Sequence, residues 1–378
     1  MFRNLSPNRE PRWHFAPVPR GRRTLGVIPI MLKQSISPVR TSPAHVRTIV
    51  SRWLSRGALP ALVAAAALST ALAAPAALAE YPERPIQLVL SFPPAGATDV
   101  LARAVGQRLS QELKQPVVVE NRPGAGGALG MGYAAKAAPD GYTLYLAAVS
   151  NAAIAAATYP NQPANLARDF VPIAGVGNVP HILVVPATLP VKTVPELVKY
   201  LKAAPGQYNF ASQGSGTLSH LESELFRLRT GVDVMHVPYK GSSFALPDLM
   251  AGRSAMMFDS IPSALPHVKS GKLRLLAVAS EQRVKSLPDA QTMSEAGIAD
   301  FRANNLFGLV APKGTPQAVI DRLAAAAKNV LAQPELAATM DAQGVQIAYT
   351  PADKFGRMIQ QEMRDWAKVA QAAHVKVD

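Results

Sequence analysis

From Glu80 to the C terminus the chain alternates short apolar runs with stretches of helical period, and this alternation limits its possible folds more than any other feature. "IQLVLSF", "PVVVEN", "YTLYLAA", "HILVVP", "YNFAS", "VMHVPY", "SAMMFDS", "LRLLAVAS" and "NLFGLVAP" read as buried strands. Helical segments lie between them, and the first keeps Leu101, Val105, Leu109 and Leu113 on one face. Thr193 with Glu196, and Ser219 with Glu222, are spaced as capping boxes. Thr315-Pro316 and Thr350-Pro351 each place an N-cap before a proline, and Gly231 stands where a helix would stop. Strand–helix alternation on this scale predicts an α/β fold with largely parallel sheets in two domains. The last stretch, Thr315 to Val375, reads as two long helices with no strand between them, packed back on the first domain.

Before this body lies a leader. Arg47, Arg52 and Arg56 precede the apolar run "ALPALVAAAALSTALAAPAALA", which ends in Ala77-Leu78-Ala79. A positive region, an apolar region and a small-residue exit make a secretory signal, with cleavage expected between Ala79 and Glu80. The run is too rich in alanine and too broken by Pro60 and Pro75 for a membrane anchor. Both Met1 and Met31 could start translation.

The formal net charge of +14 suggests nucleic acid only until its distribution is examined. Residues 1–79 carry 11 Lys and Arg against one acid, Glu10, whereas the rest carries 28 basic against 24 acidic residues. A nucleic-acid-binding body needs a basic stripe of its own, so no nucleic-acid partner is expected. The chain has no cysteine, which excludes disulfides and thiolate zinc sites.

Four glycine- or proline-rich turns could hold a ligand. In "SFPPAGATDVLARAVGQRL" a strand passes through a small, uncharged turn into a helix, whose first N–H groups and positive end face whatever lies above the sheet. Thr98 and Asp99 there also suit an ordinary N-cap. "ENRPGAGGALGMGYAA" fails as a dinucleotide fingerprint, because Gly124, Gly126 and Gly130 are spaced G-x-G-x-x-x-G and no acid ends a second strand after them. An anion-friendly turn or close packing remains. "NFASQGSGTLSHLESE" gathers Ser212, Ser215, Thr217 and Ser219 at a helix start, but Gly214-Ser215-Gly216 is not a nucleophile elbow. His220 and His236 have no acid placed to orient them, so no catalytic residue is expected, and no motif suggests a metal. In "HVPYKGSSFALPDLMAGRSAMMFDS", Tyr239-Lys240-Gly241 and Asp259-Ser260 end consecutive strands, and Lys240 reads as an anion ligand or a solvated loop charge. Turns like these, facing each other, suit a small, anionic ligand gripped by backbone.

These turns, together with "YPERPIQLVLSFPPAGATDVLAR", "VVVENRPGAGGALG", "APDGYTL", "GKLRLLAVAS" and "TPQAVIDRLAAA", resemble the Bug family, the periplasmic solute receptors of tripartite tricarboxylate transporters. The resemblance runs in order through residues 80–378. It implies a two-lobed type II periplasmic-binding-protein fold, each lobe a doubly wound, largely parallel sheet, with a cleft that closes by hinge motion. Lobe one would comprise 80–182 and 306–378, and lobe two 183–305. The implied ligand is a small carboxylate and the implied partners are membrane permease subunits. The receptor would be periplasmic, monomeric, cofactor-free and not an enzyme. An exported sensing subunit or orphan receptor feeding a signalling partner is the alternative.

By the same resemblance, lobe one would grip the carboxylate with Phe92, Pro94, Ala95, Gly96, Thr98 and Asp99, then Ser150 and Asn151. Lobe two would add Ser212, Gly214, Ser215, Thr217 and His220, followed by Tyr239, Lys240, Gly241 and Asp259. Two positions depart from the family pattern. Ala95 stands where the family has glycine, so a positive φ there would be strained. Gln291 stands where the family has proline, in a loop expected to lie away from ligand.

Overall fold

Each apolar run ends at a glycine, proline or polar turn, and each becomes a strand in the computed structural model, which describes residues 81–377 except 160, 300 and 302. The leader and its expected cleavage site lie outside the described residues. The body opens with β1 (Ile86–Leu90), α1 (Ala97–Leu113), β2 (Val117–Asn121), a 3₁₀ turn (Ala125–Gly127), α2 (Ala128–Ala135), β3 (Thr143–Ala148) and α3 (Val149–Thr158). Here β1 pairs in parallel with both β2 and β3. A short α4 (Leu166–Asp169) leads into β4 (Phe170–Pro186).

The second lobe is built from α5 (Val194–Lys202), β5 (Tyr208–Ser212), α6 (Leu218–Thr230), β6 (Val234–Pro238), α7 (Ser242–Met250), β7 (Met256–Ser260), α8 (Ile261–Lys269) and β8 (Leu273–Val278). Within it β5 pairs in parallel with β6 and β7. The chain then returns through β9 (Asn304–Pro312) and ends in α9 (Gln317–Leu331), α10 (Pro334–Asp341), β10 (Gln346–Pro351) and α11 (Ala352–Ala372). The strand order is β2-β1-β3-β9-β4-β7-β5-β6, with β10 and β8 also on β4. Parallel pairs thus form the outer parts of both lobes, and antiparallel pairs with β4 and β9 form their junction.

Strand β4 organises the molecule. From Phe170 to Pro180 it pairs with β9, and from His181 onward with β7 and β8. The change of partner falls at Pro180-His181, where one strand leaves one lobe and enters the other. The expected strand, "HILVVP", covers only its second half, and the first half carries Pro172, Gly175 and Gly177. Register shifts between Pro172 and Ala174, and between Gly175 and Gly177, absorb them as bulges in an otherwise continuous strand.

The terminal region also differs from expectation. Three helices, not two, follow Thr315, and β10 lies between the last two. Gly344, at φ 77°, turns the chain out of α10 and sends β10 antiparallel along β4. The helix starts are displaced as well: Pro316 and Pro351 are themselves the N-caps, while the Thr315 hydroxyl donates to the Pro312 carbonyl at 2.8 Å. At α5 the expected cap forms, with Thr193 Oγ1 accepting from Glu196 N–H at 3.3 Å, and Gly231 ends α6 at φ 68°.

Helices cover both faces of each lobe's sheet. In lobe one, Leu101, Val105, Leu109 and Leu113 of α1 join β1, β3 and α9 in one core. On the opposite face Met131, Val149, Phe355 and Ile359 form another. Lobe two has cores around Phe210, Leu221 and Phe258, and around Leu246, Ile261 and Leu265. Helix α11 reaches across: Phe355 and Ile359 belong to a core of lobe one, Trp366 and Ala370 to one of lobe two.

Candidate functional site: a cavity ringed by helix amino termini

The strand–turn–helix units point their helix starts at one place. A cavity between the lobes is lined by Gly96, Ala97 and Thr98 at the start of α1 and by Asn151 in the first turn of α3. From lobe two, Gly241 and Ser242 bring the start of α7, and Ser260 the start of α8. With the lobes in this arrangement the enclosed space is about 20 Å³, room for about one water molecule. Gly96 and Gly241 cap α1 and α7 with no side-chain acceptor, so the positive ends of those helices remain directed into the cavity. A more open region continues outward along Pro123 to Gly127, Tyr159, Gly214, Ser215, Tyr239 and Lys240.

The lobes touch around this space. Asn151 Oδ1 accepts from Leu218 N–H at 2.9 Å, so a side chain of lobe one caps α6 of lobe two. The Tyr159 hydroxyl donates to the Ser215 carbonyl at 2.9 Å. Gly241, at φ 121°, passes so close to Pro93 that a Cβ there would meet Pro93 Cγ at 2.6 Å.

Of the residues named from the sequence, Phe92, Gly96, Thr98, Asn151 and Gly241 line the cavity, and Gly214, Ser215, Tyr239 and Lys240 line its mouth. The others are occupied elsewhere. Pro94 and Ala95 lie exposed on the turn, and Ala95 does adopt a positive φ, 65°. Asp99 is buried beneath that turn: it accepts from Ala95 N–H at 3.1 Å, from Asn121 at 3.0 Å and from Arg103 Nε and Nη2 at 3.0 and 2.9 Å. Burial alone would raise the Asp99 pKa, but these donors outweigh it and hold the carboxyl below its usual range. Ser150 points to the sheet, donating to Glu362 at 2.7 Å and accepting from Leu306 N–H at 3.3 Å.

Ser212, Thr217 and His220 shape the lobe-two turn. Ser212 Oγ accepts from Gly214 N–H at 3.1 Å and contacts His236 Nε2 at 2.6 Å. The Thr217 hydroxyl donates to the Gly214 carbonyl at 2.7 Å, and His220 Nδ1 accepts from Gly216 N–H at 3.2 Å. The rings of His220 and His236 stack with centroids 3.8 Å apart. Burial lowers the His220 pKa to about 4, and burial with the neighbouring His220 lowers that of His236 to about 3, so both are neutral rings.

Asp259 is fully buried, and its Oδ1 accepts from Gln213 at 2.6 Å, Ser242 at 2.7 Å and Ser260 N–H at 2.8 Å. It thereby orients the amide and hydroxyl that line the cavity. Burial pushes its carboxyl up, against the effects of His181, Ser242, Gln213 and Ser260 N–H.

No role was expected from the sequence for Gln213, Ser242 and Asn305, nor, above all, for His181, and Ser260 was marked only as a strand end. His181 sits on β4 where the strand changes partner, fully buried, with Nδ1 2.6 Å from Glu222 Oε2. Glu222 is therefore not a capping-box residue; Thr217 is the N-cap of α6, and the Ser219 hydroxyl donates to the Phe258 carbonyl at 2.5 Å. A signal was present. Glu222 falls beside Leu218 and Leu221 on the buried face of α6, and a buried acid needs a cation or donors. Among the described residues no group of three or more His, Asp or Glu is placed to hold a metal, and no helix is long and apolar enough to cross a membrane.

The sequence profile of the tripartite tricarboxylate transporter family receptor matches residues 101–375. Protein BugT of Bordetella pertussis is 39% identical over 307 residues, covering 81% of this chain and 94% of BugT. A Rhodopseudomonas palustris protein solved with adipate superposes with a TM-score of 0.76 at 32% identity, covering 79% of this chain and 99% of its own. MatC of the same organism, solved with bound malate, gives 0.72 at 30% identity over 76% and 99% of the two chains. In sequence and in two-lobed architecture alike, this chain belongs to the Bug family of periplasmic receptors of tripartite tricarboxylate transporters.

Proposed function

We propose that this protein is an extracytoplasmic receptor that captures a small carboxylate between its lobes by hinge closure and delivers it to permease subunits of a tripartite tricarboxylate-type transporter. The observation that carries this reading is the convergence of the helix starts at Gly96, Asn151, Gly241 and Ser260 on one inter-lobe cavity. Backbone N–H groups and aligned dipoles favour an anion there without a fixed cation for each charge. The relatives solved with adipate and malate make small dicarboxylic acids the first class to try. Lobe one then comprises residues 80–182 and 306–378, lobe two 183–305, and the hinge includes β4 where it changes partner. Export follows from the leader, with processing between Ala79 and Glu80 and action as a soluble monomer in the periplasm.

The test is the melting temperature of the purified protein against mono-, di- and tricarboxylates, amino acids and aromatic acids. A ligand at 100 times its Kd adds about 2.7 kcal/mol, enough to move the melt by several degrees. One carboxylate class should do this, and Thr98→Val should weaken its binding several-fold by removing a hydroxyl from the cavity wall. A melt that no acid moves, after unfolding and refolding to strip carried ligand, would contradict the proposal.

A further inference from the structure

Among the described residues, the side chains lining the cavity include one titratable group, and it is not one the carboxylate grip described above requires. His181 is fully buried, its Nδ1 lies against Glu222, and its Nε2 has no hydrogen-bond partner. A buried nitrogen left unpaired forfeits its hydrogen bond to water with no return, so such atoms are rare in a packed interior. This one belongs to a ring that lines the ligand cavity. Asn305 Oδ1, in the same wall, is also buried and unpaired.

We infer that His181 is the residue through which the cavity reads a second acidic group on its ligand, with Glu222 as the positioning residue behind it. The inference rests on the receptor reading and narrows it to ligands with two acidic groups. Glu222 takes the Nδ1 side at 2.6 Å, which fixes the ring and leaves Nε2 as the only nitrogen free for the ligand. Among the described residues, two titratable groups act on the ring, Glu222 from α6 and Asp259 from β7. The other elements of the wall present neutral groups: Thr98 from α1, Asn151 from α3, Ser242 from α7 and Asn305 from β9. Burial opposes a charge on His181, but the two carboxylates outweigh it and raise its pKa above the ordinary value.

A protonated His181 offers Nε2–H as a charge-assisted donor. A dicarboxylate places one carboxylate at the helix starts and the other on Nε2. A monocarboxylate of the same length leaves Nε2–H buried and unpaired, which is the arrangement that discriminates strongly against a ligand lacking the group. Binding of the dicarboxylate is therefore linked to the proton. Its affinity falls, by up to about tenfold per pH unit, once His181 begins to lose that proton.

Calorimetric titration at pH 6.5, 7.5 and 8.5 tests this with two pairs of probes, adipate against hexanoate and malate against 3-hydroxybutyrate. The wild type should bind at least one diacid at least tenfold more tightly than its monoacid counterpart, and the ratio should shrink as pH rises. His181→Gln should shrink the ratio about tenfold at pH 6.5 and make it flat in pH. Glu222→Gln keeps a hydrogen-bonding group behind the ring but removes its counter-charge, so the decline should begin at lower pH. The wild-type pH profile decides the matter even where a variant folds poorly. A ratio flat in pH for the wild type, or one that survives His181→Gln, overturns this inference and leaves the receptor reading standing. Binding of none of the four acids overturns this inference, and the receptor reading falls with it only if no acid of the wider panel moves the melt.

Discussion

Ala95 shows how one residue can be legible in kind and not in use. It adopts φ 65°, a conformation glycine occupies freely and alanine at a cost of about 1–2 kcal/mol. Replacing it with glycine should stabilise the protein by about 0.5–1 kcal/mol, because the relief exceeds the added freedom of the unfolded chain; thermal denaturation of Ala95→Gly would show a higher Tm. His220 and His236 yield a second outcome at this scale. Folded, they resist protonation down to about pH 4 and 3, whereas in the unfolded chain they titrate near 6.5. Falling pH therefore favours the unfolded state, and the stability present above pH 6.5 is lost progressively toward pH 4. The Tm of wild type should drop across this window, and that of His236→Phe should drop less; equal slopes would refute the assignment. The sequence revealed which turns face the cleft, because small residues and helix starts mark them. It did not reveal that Asp99, Ser150 and Ser212 spend their polar atoms inside their own lobes, since a side chain's partner depends on contacts distant in sequence.

At the scale of elements, period was a good guide where one face of a segment is buried. Helix α1 buries the leucines and valine its spacing indicated, and β5 begins and ends where "YNFAS" does. It failed where the local cues contradict the outcome. The first half of β4 is held in the sheet by β9 and β10 despite its prolines and glycines, which no local rule foresees. Packing reinforces that strand from above. Phe355 of α11 is fully buried over β4 and β9, so close to Gly308 that a Cβ there would meet its ring at 2.0 Å. Phe355→Ala should cost about 3–5 kcal/mol, as lost burial plus a cavity, measured as a lower denaturant midpoint.

For the molecule as a whole, what matters is which contacts exist only with the lobes together. The Tyr159 hydroxyl on the Ser215 carbonyl is one such contact. Tyr159→Phe should weaken ligand binding about three- to tenfold with little change in the unliganded melt, since one hydrogen bond contributes about 0.5–1.5 kcal/mol. A loss of melting temperature without loss of affinity would mean that the contact supports the fold and not the closed form. The two-lobed plan was legible in the alternation of strands and helices, whereas the place of β9 in the sheet was not. Strand β9 inserts between β3 and β4, two strands that precede it in the chain by well over a hundred residues. A chain delivered amino end first, from a ribosome or through a membrane pore, must hold that slot open until residue 312 has emerged. Its first lobe is thus the last to be finished, and a nascent chain arrested before β9 would expose two unpaired strand edges to proteases and to other chains.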